Sequence, residues 1–184
     1  MKIKTKQVEK LTKKEIDFMN KQRLREYGKG STVDFKREDK GGIFFFVIDN
    51  KKVKAFGMLK PVNLEFKGKK YQIMGMGRGM AIEKLKGYGK ALGKARLNYL
   101  KKKQKTGIAF TDKKNRIFFE KVGFKVIKNF TDRFRYKNPK TGKWVKDDED
   151  GEEPGEGVCY EGKDKLISKM LKNKASAYVE GWMW

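Results

Sequence analysis

A pair of glycines between an apolar segment and a helical pattern constrains this chain most: Lys84-Leu85-Lys86-Gly87-Tyr88-Gly89-Lys90-Ala91-Leu92. Before it runs a Gly-punctuated apolar stretch, Tyr71 to Ile82. After it, Leu92, Ala95 and Tyr99 share one helical face, while Lys90, Lys94, Lys101 and Lys102 fall elsewhere. A strand that turns through two glycines into a helix start gathers backbone N–H groups around one point. Glycine takes positive φ without strain and lets the main chain approach a ligand closely. The first helical turn has unpaired N–H groups at the positive end of its dipole. Lys84, Lys86 and Lys90 add charge at the same place, so the segment has what a phosphate or pyrophosphate site needs. A plain strand-to-helix turn has the same local sequence. The residues downstream decide between the two.

There, Gly107-Ile108-Ala109-Phe110-Thr111 reads as a short apolar strand. A turn and short helix follow, closing on Phe118-Phe119-Glu120-Lys121-Val122-Gly123-Phe124. In this order the segments resemble the GNAT superfamily of acetyl-CoA-dependent N-acyltransferases. The family's loop signature, Gln/Arg-x-x-Gly-x-Gly/Ala, resembles Lys84-x-x-Gly87-x-Gly89, with Lys for Arg. Its second signature, Phe-Tyr-Glu-Lys-x-Gly-Phe, is similar to Phe118–Phe124, with Phe119 for Tyr. The resemblance covers residues 43–136, and the connection from Ile82 to Gly87 is shorter than the family's usual loop.

The resemblance implies an α/β (α+β) fold: a mixed, mostly antiparallel sheet with helices on both faces and a splayed acyl-CoA cleft. It implies transfer of an acetyl group from acetyl-CoA, the cosubstrate, to a primary amine, with no metal. Backbone groups of Met80, Ala81 and Ile82 would hold the pantetheine arm and the thioester carbonyl. Lys84, Lys86, Gly87, Tyr88, Gly89 and Lys90 would meet the phosphates as a set, and Phe119 would lie along the cofactor. The family's tyrosine protonates the departing thiolate, which Phe119 cannot do. Either the thiolate leaves unassisted or with water, or another tyrosine such as Tyr160 serves, or the chain is a silent CoA-binding regulator. For the base, Glu83 and Glu65 are candidates, each of which also reads as a solvated surface charge.

The C-terminal part resembles the aminoglycoside 2′-N-acetyltransferases more weakly, through an acidic cluster, a following strand and a terminal tryptophan. That resemblance would place Trp184, with its carboxylate, and Asp148 or Asp150 on a cationic acceptor such as an aminoglycoside or polyamine. Arg78 stands where that subgroup has Glu and would repel such a ligand.

Composition narrows the alternatives. A length of 184 residues suits one domain with one core, interrupted by an acidic insertion at about 146–157. The net charge of +24 points to anionic partners, CoA or nucleic acid. Lysine outnumbers arginine 39 to 8, whereas sequence-reading surfaces lean on arginine's fork. A nucleic-acid-binding module using Arg133-Phe134-Arg135-Tyr136 is therefore the rival reading, not the favoured one. With no histidine, the commonest base, metal ligand and nucleophile partner are gone. The lone Cys159 fits a packed apolar residue in a reducing, cytoplasmic setting. No apolar run is long enough to span a membrane, and Met1–Lys6 lacks a secretory apolar core. The oligomeric state stays open, a dimer included.

Along the chain, Thr12-x-x-Glu15 predicts a capped helix ending at Gly28–Gly30. Ile43–Ile48 reads as a buried strand, Asp49–Lys52 as a turn and Val53–Leu59 as the next strand. After Pro61, Val62–Phe66 and Tyr71–Met74 flank a hairpin turn at Lys67–Lys70. Phe124–Tyr136 reads as a strand, and Asn138–Gly142 as a turn into Trp144-Val145. Val158–Tyr160 is a last strand and Asp164–Leu171 a short helix.

Overall fold

The computed structural model describes residues 1–138, 141–146 and 155–180. Most of the acidic insertion, with Asp148 and Asp150, and the terminal Trp184 lie outside the described residues. The chain packs as two compact units, residues 1–60 with 77–95 and residues 61–76 with 96–184.

In the first unit, β1 (Lys2–Gln7) pairs antiparallel with β2 (Ile43–Asp49), which pairs antiparallel with β3 (Lys52–Phe66). The unbroken apolar run of β2 is buried along Phe44–Val47, as a strand covered on both faces requires. Phe35 of α2 (Phe35–Glu38) meets Phe44 edge to face at 5.3 Å. α1 (Lys13–Tyr27) opens on the expected capping box: the Glu15 amide donates to Thr12 Oγ1 and the Thr12 amide to Glu15 Oε2. The same carboxylate accepts from Lys6 Nζ at 2.6 Å, tying α1 to β1. Asn50 and Lys51, both at positive φ, form a two-residue turn of the hairpin type between β2 and β3.

In the second unit the strand order is β6-β9-β5-β4-β3-β10-β7-β8. These are β4 (Lys69–Ala81), β5 (Gly107–Thr111), β6 (Lys125–Ile127), β7 (Phe134–Lys137), β8 (Trp144–Val145), β9 (Glu156–Tyr160) and β10 (Ala177–Val179). The β4–β5 and β7–β10 pairs are parallel, and the other registered pairs are antiparallel, so the sheet is mixed and mostly antiparallel. The remaining helices are α3 (Tyr88–Lys103), whose first half belongs to the first unit, α4 (Arg116–Val122) and α5 (Leu166–Leu171). Ile73, Ile108, Phe130, Phe134, Leu166 and Met170 form the centre of this unit's core. Arg133 satisfies the end of α5: its Nη2 donates to the Met170, Asn173 and Ala175 carbonyls. Among the described residues no helix is long and apolar enough to cross a membrane.

Three expectations change. First, β3 does not break at Pro61 but runs through it. The β2 ladder ends at Leu59 and the β10 ladder begins at Leu64, so no bond of either ladder is lost where proline lacks an N–H. Second, Phe124–Tyr136 is two strands, because Asn129 adopts a left-handed φ of 51° and a 3₁₀ turn at Phe130–Arg133 intervenes. Third, β1 and β10 carry no readable signal. β1 is an exposed edge strand rich in lysine, and β10 is three residues long.

The loop joining β9 to α5 depends on Gly162. Its amide donates to Thr106 Oγ1 at 2.9 Å, and the Thr106 hydroxyl donates to Asp164 at 2.5 Å. A Cβ on Gly162 would lie 2.4 Å from the Thr106 nitrogen and 2.6 Å from the Gln104 carbonyl oxygen, both backbone atoms. Gly162→Ala is expected to lower stability by about 1–3 kcal/mol, the usual range for overpacking. Urea unfolding measures it, and an unchanged midpoint would contradict this account of the loop.

Candidate functional site

The glycine pair lies in the first unit, where β4 ends and α3 begins. The last residues of β4 are held by an ion-pair cluster. Arg78, left-handed at φ 54° within β4, donates from Nε to Asp39 Oδ2 at 3.0 Å and from Nη2 to Glu38 Oε2 at 2.9 Å. Asp39 is fully buried, and Lys60 Nζ lies 3.5 Å from its other oxygen. A left-handed non-glycine residue costs about 1–2 kcal/mol, which these charge-assisted bonds offset. The Arg78 charge is balanced by two carboxylates, so a cation meeting this side chain meets a neutralised fork.

Beyond Arg78, Met80 is buried and Ala81 and Ile82 are half-buried. The Ile82 amide donates to the Lys54 carbonyl at 2.9 Å, so of the three expected pantetheine contacts this donor is already used. Glu83 forms an ion pair with Lys54, and Lys84 Nζ lies 2.5 Å from Glu26 Oε1 at the end of α1. The Glu26 hydrogen bond raises the Lys84 ammonium above its ordinary range. Lys86 and Lys90 are exposed and have no ion-pair partner among the described residues.

The two glycines do different work. Gly87 has φ 79°, and its Cβ position is open, so it is required by conformation. Its carbonyl accepts the first bond of α3, from the Ala91 amide at 3.0 Å. The amides of Tyr88, Gly89 and Lys90 therefore precede the first intrahelical bond, as an anion site at a helix start requires. Gly89 lies within that first turn, so its contribution is a missing side chain and not a positive φ. Tyr88 is buried and donates its hydroxyl to Asp49 Oδ2 at 2.8 Å, which anchors the helix start on the end of β2. That bond raises the Tyr88 phenol and lowers the Asp49 carboxyl.

In the second unit, the β4–β5 ladder consists of two pairs, Met74–Gly107 and Gly75–Ile108. Ala109, Phe110 and Thr111 continue on the other side against β9. α4 ends on Gly123 at φ 109°, where the Gly123 and Phe124 amides both donate to the Phe119 carbonyl. This is why the Phe-Phe-Glu-Lys-Val-Gly-Phe segment needs its glycine. The half-buried Phe119 ring packs edge-on against Phe118 and Phe124, at 5.1 and 6.3 Å. Tyr160 is half-buried at the end of β9, in register with Gly107. Cys159 is buried in the core and its thiol is pushed far up by burial, so it packs as an apolar residue and is no nucleophile. Glu65 lies on the exposed face of β3, in register with Tyr178.

Sequence reasoning missed Glu156. This β9 residue is only 2% exposed, pairs in register with Thr111 at the end of β5, and has an Oε2 without a hydrogen-bond partner. Nothing in its sequence neighbourhood, an acidic run, signals this burial. The aromatic-basic strand proposed for nucleic acid is occupied internally. Phe134 and Tyr136 are buried, Arg133 caps α5, and Arg135 Nη1 donates to the Asp132 and Phe134 carbonyls. Among the described residues no group of three His, Cys, Asp or Glu side chains could hold a metal.

Comparison with solved structures identifies the fold as that of the GNAT N-acetyltransferases. The GNAT family N-acetyltransferase YhbS of Escherichia coli, crystallised with CoA, is similar over 98% of this chain and 89% of its own, with 15% identity and a TM-score of 0.58. Escherichia coli ElaA matches over 87% of this chain and 99% of its own, with 11% identity and a TM-score of 0.56. An acyl-CoA N-acyltransferase from Pseudomonas aeruginosa matches over 86% and 97%, with 12% identity and a TM-score of 0.52. A scan against protein-family models and a search of curated proteins both find no match.

Two outcomes follow from this geometry. Arg78→Ala leaves the buried Asp39 with Lys60 alone and should cost about 3 kcal/mol, the low end for a broken buried pair. Chemical unfolding reads it; a loss within error of zero would show that the pair does not hold β4. Tyr88→Phe should raise the Asp49 titration toward its ordinary value, read by carboxyl chemical shifts. Because Asp49 is lowered, its contribution to stability is complete above the ordinary aspartate range and is lost as pH falls through the lowered value. Tyr88 is raised, so its contribution is lost as pH rises through the raised value.

Proposed function

We propose that this chain, which has the fold of the GNAT N-acetyltransferases, moves an acetyl group from acetyl-CoA to a primary amine. One observation carries the reading: in that fold, β4 passes through a left-handed Gly87 into a helix whose first three amides precede any intrahelical bond. The anion held there is the CoA pyrophosphate. Lys86 and Lys90 add their charges, the first-turn amides of Tyr88, Gly89 and Lys90 donate, and the backbone of Met80 and Ala81 receives the pantetheine arm. Lys84 belongs to α1 through Glu26 and not to the phosphate. The crystallisation of YhbS with CoA supports this choice of cosubstrate.

For the amine's proton, Glu156 is a better candidate than Glu83. One Glu156 oxygen accepts no hydrogen bond, and the cation that acts on it, Arg116, is ion-paired with Glu120, whereas Glu83 is paired directly with Lys54. With Phe119 in place of tyrosine, the thiolate leaves without an acid there, or Tyr160 serves. Nucleic-acid binding is not favoured, because the strand that would stack bases is spent on the core.

Gly89→Asp, which puts an anion where the pyrophosphate sits, should abolish acetyl-CoA binding in a protein that still folds. Calorimetric titration decides it, and unchanged affinity would remove the cofactor assignment. Glu156→Gln should lower kcat by about a hundredfold or more while sparing KM for acetyl-CoA. If native protein binds CoA yet releases no thiol on a panel of amines, the chain is a silent CoA-binding regulator, the reading that Phe119 favours.

A further inference from the structure

The second unit has a groove of ≈ 770 Å³ bordered by β3, β4, β8 and β10. One wall is aromatic: Trp144 and Tyr178 meet edge to face at 5.1 Å, and their side chains are 44% and 39% exposed. Two carboxylates stand beside them. Glu65 is the cross-strand partner of Tyr178, and Glu180 follows Tyr178 by two residues. Both line the groove, with Lys70 as the one cation among its described lining residues.

That balance runs against the chain as a whole, where 47 lysines and arginines face 23 acids. Other glutamates find a cation: Glu15 with Lys6, Glu26 with Lys84, Glu38 with Arg78, Glu83 with Lys54 and Glu120 with Arg116. Glu65 and Glu180 have no ion-pair or hydrogen-bond partner among the described residues. Two free carboxylates beside an exposed aromatic pair attract ammonium groups by charge and by the ring quadrupole. The apolar faces of the two rings suit methylene carbons. The long-range repulsion of a +24 protein is screened beyond about 8 Å at physiological ionic strength, so inside the groove the near carboxylates decide.

We propose that this groove binds an aliphatic di- or polyamine, with ammonium groups on Glu65 and Glu180 and methylenes on Trp144 and Tyr178. The site goes beyond acyl transfer and stands whether or not the chain is a transferase.

Spermidine is the probe, titrated calorimetrically into the whole chain without acetyl-CoA. Native protein should bind one equivalent. Glu65→Gln with Glu180→Gln, and separately Trp144→Ala, should each weaken binding by about tenfold or more. These side chains are exposed, so unfolding midpoints should not move. Equal affinity in the double variant, or equal binding of an uncharged diol of matching length, would overturn the proposal. So would binding that appears only after residues 181–184 are removed, which would assign the groove to the chain's own terminus. Thiol release from acetyl-CoA in the same mixtures then distinguishes an acceptor from an effector: as an acceptor, spermidine should be acetylated, with KM raised in the double variant. Failure of CoA binding leaves the groove's own titration intact.

Discussion

The buried carboxylate of Asp39 is the interaction on which the first unit's loop geometry depends. A fully buried anion must be paired, and here Arg78 and Lys60 do it. The pairing draws Arg78 into a left-handed conformation inside β4, which holds the final residues of the strand in one setting. Those residues lead directly into the turn at Gly87 and the start of α3. A helix start can bind an anion productively only if its approach is fixed, because misplacement by an ångström forfeits hydrogen-bond geometry. The ion pair and the Tyr88–Asp49 bond hold the two sides of that approach.

A strongly basic chain must decide where each of its few acids goes. In the first unit the acids are spent on lysines and arginines that fix the backbone: Glu15 on Lys6, Glu26 on Lys84, Glu83 on Lys54. Neutralising those cations leaves Lys86 and Lys90 as the glycine-loop charges without an ion-pair partner among the described residues. The loop's electrostatics therefore come from which lysines are paired and not from how many are present. In the second unit, among the described residues, the same accounting leaves Glu65, Asp132, Glu180 and one oxygen of Glu156 unspent. Chemistry that needs a carboxylate has these places to occur.

The absence of histidine and the phenylalanine at position 119 shift the burden of any acyl transfer from proton handling to placement. Positioning two reactants can supply a larger share of a rate than one acid–base group. Cys159, sealed in the core with a raised thiol, offers no covalent route.

The sequence by itself determined the local pieces. Thr12 and Glu15 specify the start of α1, Lys67–Lys70 specifies a hairpin turn, which the structure narrows to Lys67 and Gly68 with both φ positive, and Gly123 specifies the end of α4. Each depends on backbone chemistry within a few residues, so each is written locally. The fold was legible through the family resemblance that the glycine loop and the Phe118–Phe124 segment carry together. Tertiary structure decided what depends on distant partners. Pro61 stays inside β3 because two ladders leave a gap there, and Phe124–Tyr136 divides because its halves pair with different strands. Lys84 is paired with Glu26, 58 residues earlier in the chain, a contact that no local pattern announces. Glu156 is removed from water by its burial in β9. A side chain's charge is a property of the residue, but its availability depends on which groups the fold brings beside it.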